Sequence, residues 1–313
     1  MNALAVVLDT PKSLDLRALE VVDPDADDVV VDVSWSGIST GTERLLWTGR
    51  MPPFPGLGYP LVPGYEAAGR IVHAGPDARH RIGEAVFVPG ANCFKDARGL
   101  FGAAASRIVT RSSRAVRVGE DLGERAVLLA LAATACHALT SPGAQLPELI
   151  VGHGILGRLI ARMTVAIGGA PPTVWERQEH RISGATGYAV LDPAEDRRRD
   201  YRSIYDASGT PDVLDLLIGR AAKGAEIVLA GFYDERLSFD FVPAFMREAR
   251  IRIAAEWQPQ DLAAVAKLVE RGDLSLDGLV THYADASEAK DAYPTAFEDS
   301  RCLKMVLDWR TAA

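Results

Sequence analysis

Three glycines have the spacing of a dinucleotide-binding turn. Gly152, Gly154 and Gly157 follow the apolar run 149–151 and open a stretch with helical periodicity. Gly152 permits a tight turn, Gly154 lets a pyrophosphate approach the backbone, and Gly157 allows the helix to pack closely on the strand. The pattern therefore predicts a strand–turn–helix unit that binds a nucleotide cofactor.

Two further features complete this predicted site. The backbone N–H groups of Ile155 and Leu156 fall at the start of the helix, where the helix dipole favours a phosphate. Glu176 ends the next predicted strand, residues 173–176, and a carboxylate there accepts hydrogen bonds from both hydroxyls of an adenosine ribose. Because it also repels a 2′-phosphate, we expect NAD as the cofactor, although the neighbouring Arg177 could instead hold that phosphate and favour NADP.

The regions around the glycine motif predict an α/β protein with two domains. Residues 119–271 alternate short apolar strands with helices, which indicates parallel βαβ units in a doubly wound sheet. Residues 1–118 contain short apolar runs punctuated by glycine and proline, and the alternation in 29–36 is typical of a half-buried strand. Residues 272–313 predict a strand at 279–282, a helix and a final strand.

Composition excludes several classes of protein. The 313 residues carry 34 basic and 42 acidic side chains, and the net charge of −8 argues against general capture of nucleic acid. The three cysteines are far apart and form no CxxC pair, which favours a reducing compartment. No basic segment of a signal peptide precedes the first apolar run, and the longest apolar run, 126–133, is far short of the ~20 residues of a membrane span. We therefore expect a cytoplasmic protein with no integral membrane segment.

A β-rich region followed by a dinucleotide fold resembles the medium-chain dehydrogenase/reductase family over essentially the whole chain. The strings PGYEAAGRIV (63–72), GISTGTE (37–43) and GEAV (83–86) are similar to its GHExxGxV, GxCxxD and GDxV segments. The resemblance implies a GroES-like catalytic domain at 1–118, completed by 272–313, and a Rossmann domain at 119–271. It also implies that Thr134 lies beside the nicotinamide.

The chain departs from this family at the zinc ligands. Ser39 and Tyr65 stand where zinc-dependent members have a cysteine and a histidine, and Ala130 stands near the last ligand. Zinc needs three protein ligands, and neutral hydroxyls are poor ones. The resemblance therefore implies a zinc-free member without a bound metal.

Without zinc, a side chain or water must take the proton of an alcohol substrate. The resemblance implies that Tyr65, Glu66 and Ser39 face the chemistry, and His137 is a further candidate. Each has a structural alternative. Tyr65 would fill the space of the missing metal, Glu66 would form an ion pair, Ser39 would cap a turn, and His137 would be a core residue. His153, inside the glycine motif, either shapes that loop or moves protons.

Longer strings are similar to a branch of this family that acts on a tetrapyrrole. They include residues 35–47, 88–94, 99–106 and 254–259. The resemblance implies oxidation of the 3-(1-hydroxyethyl) group of a bacteriochlorophyllide to 3-acetyl, with NAD as hydride acceptor, in bacteriochlorophyll biosynthesis. Such an amphiphilic substrate could bring the protein to a membrane surface.

The segment 51–64 is rich in proline and glycine yet unusually apolar for a loop. It is either packed under the domain or forms the wall of an apolar ligand cavity. Trp47, Phe54 and Tyr59 are candidates to contact a flat macrocycle, and Arg50 is a candidate to meet its propionate.

Two other functions stay open at this point. A zinc-free quinone or enone reductase would use the same fold and typically prefer NADPH, and a non-catalytic protein would bind the cofactor for structure alone. The sequence also leaves open whether the chain forms a homo-oligomer.

Overall fold

The computed structural model describes residues 1–53, 55–233 and 235–312, which divide into two compact units. The first unit comprises Met1–Ala130 and Leu276–Ala313, and the second comprises Leu131–Ser275. The two divisions lie 12 and 4 residues beyond the boundaries expected at 118 and 271.

The helices and strands have the following bounds. In chain order, the strands are β1 (Asn2–Thr10), β2 (Ser13–Glu20), β3 (Asp28–Ile38), β4 (Ala67–Ala74), β5 (Ala85–Val88), β6 (Arg107–Arg111), β7 (Val116–Arg117), β8 (Leu149–Val151), β9 (Thr173–Trp175), β10 (Ala189–Leu191), β11 (Tyr201–Asp206), β12 (Ala221–Leu229), β13 (Arg250–Ile253), β14 (His282–Asp285) and β15 (Met305–Asp308). The α-helices are α1 (Thr42–Thr48), α2 (Leu129–Thr140), α3 (Ile155–Ala166), α4 (Glu179–Ile182), α5 (Leu214–Arg220), α6 (Phe241–Arg247), α7 (Pro259–Glu270) and α8 (Ala289–Glu298). Short 3-10 segments lie at Arg79–Arg81, Ser112–Arg114, Glu120–Leu128, Pro211–Val213 and Ala286–Glu288.

The first unit is built around β3. Its larger sheet has the strand order β14-β15-β3-β4-β5-β7, with β6 also paired to β3, while β1 and β2 form a separate antiparallel pair. The predicted half-burial of β3 holds at Asp32 and Ser34 but is wrong at Val30 and Ser36, which are buried. Strand β3 pairs with β4 on one edge and with β6 and β15 on the other, and core side chains cover both of its faces.

The second unit is a doubly wound fold, as predicted. All neighbours in its six-stranded sheet are parallel, in the order β10-β9-β8-β11-β12-β13. The strand order reverses at β8, where β9 lies on one side and β11 on the other. Ligands of such sheets bind beyond the carboxyl ends of the strands at this reversal, and the glycine motif follows β8 directly.

Several elements differ from the sequence expectation. The strand expected at 279–282 is present, but its bounds are wrong, because β14 begins only at His282 and ends at Asp285. The apolar residue that suggested it, Leu279, is fully buried outside any strand, so its hydrophobicity reflects core packing. Strand β2 and helices α1 and α6 were not predicted.

One segment is long and apolar enough to cross a membrane by length and composition alone, Glu120–Thr140. It combines the 3-10 segment Glu120–Leu128 with α2, and its backbone leaves helical geometry at Gly123 (φ 53°, ψ −134°). In its most apolar window, 67% of the residues are buried within the protein, as is typical of a core helix.

Candidate active site and cofactor site

Ser39 and Tyr65 form a hydroxyl pair in the first unit. Ser39 follows the end of β3, and Tyr65 precedes β4, its antiparallel neighbour. The Gly37 N–H donates to the Glu66 carbonyl (2.8 Å), so the end of one strand meets the start of the other. As a result, Ser39 Oγ lies 2.5 Å from Tyr65 Oη. The structure thus brings together two of the residues expected to face the chemistry.

The surroundings of Tyr65 keep its phenol protonated. Its ring packs edge to face against Phe101, with centroids 5.4 Å apart. Burial and the nearby Glu66 carboxylate raise the pKa of Tyr65 above its ordinary value, while the hydrogen bond with Ser39 opposes that rise. A neutral phenol can donate a hydrogen bond or pass a proton along, but it is a poor free base.

Glu66 is a fully buried partner of Lys304. Its two oxygens lie 2.9 and 2.7 Å from Lys304 Nζ, which also donates to the carbonyl of Ile38 (3.2 Å). Burial raises the pKa of Glu66, and the ammonium of Lys304 opposes the rise. The ion pair therefore ties the last residue of β3 to the residue that precedes β4.

A second buried carboxylate, Glu43, fixes the backbone of Ser39. It lies in the first turn of α1 and accepts hydrogen bonds from the Ser39 N–H (2.9 Å) and the Tyr293 hydroxyl (2.8 Å). Burial raises the pKa of Glu43 to about 7, against the effect of these two donors. Sequence reasoning missed Glu43, Tyr293 and Lys304. The acid at the end of the string GISTGTE (37–43) was the available signal for Glu43.

The residues at the zinc-ligand positions do not fit a metal. Ser39 and Tyr65 are hydrogen-bonded to each other, and Glu66 forms an ion pair with Lys304. The side chain of Ala130 has no atom that could bind a metal. Across residues 1–53, 55–233 and 235–312 there is no group of three histidine, cysteine or acidic side chains that could hold a metal ion. No chemical step is therefore derived through zinc.

Two of the residues expected to contact the substrate, Trp47 and Tyr59, lie on α1 or are hydrogen-bonded to it. Trp47 is half-buried on α1, and Tyr59 donates its hydroxyl to the carbonyl of Leu46 on the same helix (2.6 Å). This bond fastens the segment 51–64 to α1, and that segment contains no helix among its described residues. Arg50 is exposed, and Phe54 lies outside the described residues.

The glycine motif has the geometry its spacing predicts. Gly152 has φ +95°, and a Cβ on Gly157 would lie 1.8 Å from the carbonyl oxygen of Gly152. A Cβ on Gly154 would instead meet no described atom within 4 Å. Helix α3 begins at Ile155, and its first N–H groups are therefore available to an anion.

Glu176 follows β9 and is held by three backbone donors. One oxygen accepts from the N–H groups of Arg177 and Gln178 (both 2.8 Å), and the other accepts from the N–H of His153 (3.1 Å). The residue as a whole is only 8% exposed. The acid of the predicted cofactor site is thus fixed beside the glycine motif.

His137 and Thr134 lie on α2 within the second unit. His137 Nδ1 is 2.8 Å from an oxygen of Asp261, which also accepts from the Gln258 N–H at the start of α7. His137 therefore links α2 to α7, whereas Ser39 and Tyr65 belong to the first unit. Thr134 is half-buried.

Comparison with known proteins gives a consistent result. Residues 25–120 match the alcohol dehydrogenase GroES-like domain. The chain is 60% identical to the 2-desacetyl-2-hydroxyethyl bacteriochlorophyllide A dehydrogenase of Cereibacter sphaeroides and 58% identical to that of Rhodobacter capsulatus, in both cases over 100% of each chain. An Escherichia coli alcohol dehydrogenase solved with NADH shares the fold, with a TM-score of 0.83 and 21% identity over 98% of this chain and 99% of that one.

Proposed function

Because this chain belongs to the medium-chain dehydrogenase/reductase family, we propose that it oxidises the 3-(1-hydroxyethyl) group of a bacteriochlorophyllide to a 3-acetyl group with NAD. The observation that carries the proposal is the 60% identity over the full length of a bacterial enzyme named for a hydroxyethyl bacteriochlorophyllide. The reductase and the non-catalytic alternatives lack any comparable support.

The cofactor is assigned to the second unit. Ile155 and Leu156 would bind the pyrophosphate through their N–H groups, beside Gly154, and Glu176 would accept hydrogen bonds from the adenosine ribose. Bound NAD supplies the hydride acceptor for the alcohol carbon. The fixed carboxylate of Glu176 supports NAD over NADP, since its charge opposes a 2′-phosphate.

The alcohol proton is assigned to the hydroxyl pair of the first unit. Loss of a hydride from the carbinol carbon requires loss of a proton from its oxygen. Because the phenol of Tyr65 is protonated, it can accept that proton only while passing its own to Ser39 Oγ, 2.5 Å away, and from there to water. Tyr65 and Ser39 are therefore the proposed catalytic residues.

Glu66 and Glu43 hold the residues around this hydroxyl pair in place. Both oxygens of Glu66 are bonded to Lys304, and the oxygens of Glu43 are bonded to Ser39 and Tyr293. Buried and fully bonded carboxylates hold their neighbours in place, so we assign both as positioning residues. For His137, the bond to Asp261 favours the same kind of role within the second unit.

Substrate recognition is assigned to α1 and the segment 51–64, with Trp47 and Tyr59 as the apolar contacts and Arg50 as the partner of a propionate. Burying the faces of a macrocycle at about 25 cal/mol per Å² would supply most of the binding energy. The three buried free cysteines are consistent with the cytoplasm as the site of action, and the amphiphilic substrate favours work at a membrane surface.

A comparison of substrates tests the proposal. With NAD in excess, the 3-hydroxyethyl bacteriochlorophyllide should be oxidised far faster than ethanol or 1-phenylethanol at the same concentration, because small alcohols lack the remote binding surface. A chelator should leave the rate unchanged. Equal rates with ethanol, or loss of activity with the chelator, would contradict the assignment.

A further inference from the structure

His153, the residue between the first two glycines of the motif, uses all of its polar groups in hydrogen bonds. It is fully buried; its N–H donates to Glu176, and its carbonyl accepts from Arg158 Nε (3.0 Å). In the ring, Nδ1 lies 2.6 Å from the carbonyl of Arg181 and Nε2 lies 2.8 Å from the Tyr188 hydroxyl. Because a carbonyl only accepts, Nδ1 carries the proton and Nε2 accepts from Tyr188.

Arg158 holds the same stretch of chain from α3. Its Nη2 donates to the carbonyls of Arg181 and Ser183, both at 2.8 Å, at the end of the short helix α4. Carbonyls at a helix end have no partner within the helix and need one elsewhere. His153 and Arg158 together therefore fasten the segment 177–188, which follows Glu176 and leads into β10.

Burial also keeps His153 neutral. The loss of water around the ring lowers the pKa of His153 to about 4, with the neighbouring Arg158 acting in the same direction. A neutral ring is what the hydrogen bond from Tyr188 requires, since a protonated Nε2 could not accept it.

We propose that His153, Arg158 and Tyr188 are positioning residues that hold Glu176 and the segment 177–188 in place before the cofactor arrives, and that this preorganisation sets the preference for NAD over NADP. The inference rests on the proposed use of NAD. A carboxylate held in one position cannot move away from a 2′-phosphate, so the electrostatic repulsion between the two groups is not relieved. If the segment loosens, Glu176 can move aside and Arg177 can approach the phosphate instead.

The test is a pair of titrations that need no pigment. Dissociation constants for NADH and NADPH would be measured from nicotinamide fluorescence for the wild type, Tyr188→Phe and Arg158→Lys. Tyr188→Phe removes the hydroxyl that is hydrogen-bonded to His153 Nε2 and to Arg162. The ratio of the NADPH constant to the NADH constant should therefore fall about 5-fold, mainly through weaker NADH binding. Arg158→Lys removes the fork that bridges two carbonyls, and the ratio should fall further.

Tyr205→Phe is the matched control. It removes a buried hydroxyl of the same unit that donates to the carbonyls of Ala138 (3.1 Å) and Gln145 (2.9 Å), neither of which belongs to the contacts of Glu176 or of the segment 177–188, so the ratio should not change. An unchanged ratio in a folded Tyr188→Phe protein, or an equal loss of affinity for both cofactors, would overturn the inference. Wild-type protein that binds no NADH would instead contradict the proposed function.

Discussion

At the scale of single residues, the candidate site contains a pair of hydroxyls, and we propose that they handle the substrate proton in place of a metal. Ser39 and Tyr65 were identifiable from the sequence because they occupy the positions of two zinc ligands in similar proteins. Their bond could be expected only once β3 and β4 were known to be neighbours. Lys304 and Tyr293 could not be predicted, since they lie 238 and 250 residues from the carboxylates they contact.

Removal of the Tyr65 hydroxyl should affect turnover more than binding. In Tyr65→Phe, kcat should fall about 100-fold or more, because proton transfer by a positioned side chain contributes at least that much. KM for the pigment should change little, since the ring is retained. Tyr283→Phe is a suitable control, because Tyr283 is exposed and the hydrogen bond described for its hydroxyl is the one to Glu124. Steady-state kinetics in which both variants behave like the wild type would remove Tyr65 from the mechanism.

Glu43 should make stability fall as pH rises. Its pKa is about 7 in the folded protein and near 4.5 when unfolded, so the folded state binds more protons between these values. The stabilisation is complete below about pH 4.5 and is lost as pH rises through 7. Relative to Glu43→Gln, which cannot ionise, the wild type should therefore lose free energy of unfolding between pH 5 and pH 8. Urea denaturation at both pH values measures this difference.

The outcome for Glu43 is readily controlled. Glu298→Gln alters an exposed acid at the end of α8 and should show no such pH dependence. If the difference in free energy of unfolding between the wild type and Glu43→Gln stays constant from pH 5 to pH 8, Glu43 does not titrate as its burial implies.

At the scale of elements, we assign helix packing and ligand access to different glycines of the motif. Its spacing predicted the packing role, which the structure shows at Gly152 (φ +95°) and at Gly157. The role of Gly154 in ligand access stays a prediction. The later elements were harder to predict. Leu279 is buried without belonging to a strand, and α6 exposes apolar side chains such as Phe241 and Phe245, so hydrophobicity alone misleads at both places.

Alanine substitutions at two of these glycines should have different effects. Gly157→Ala places a methyl group against the carbonyl of Gly152, so both thermal stability and NADH affinity should fall. Gly154→Ala meets no described atom, so the melting temperature should be retained while NADH binding weakens at least 10-fold, because the methyl group lies where the pyrophosphate approaches. Calorimetry and fluorescence titration on the two proteins test this pair. Equal destabilisation by both substitutions would contradict the separation of roles.

At the scale of the whole molecule, the residues proposed for the reaction belong to both units. The first contains the hydroxyl pair and its buried carboxylates, and the second contains the dinucleotide fold. The sequence predicted this architecture because the glycine motif and the β-rich region are both local patterns. The chemistry of the substrate is not a local pattern, and its assignment depends on similarity over the full chain.

The most direct test of the account is a single-turnover reaction with deuterium at the carbinol carbon of the 3-(1-hydroxyethyl) bacteriochlorophyllide. Protein, NAD and the labelled pigment would be mixed, and the nicotinamide product and the pigment spectrum followed together. The account predicts one deuterated NADH for each 3-acetyl pigment formed, with both appearing at the same rate. Acetyl pigment formed without deuterium in NADH, or no acetyl pigment at all, would contradict it.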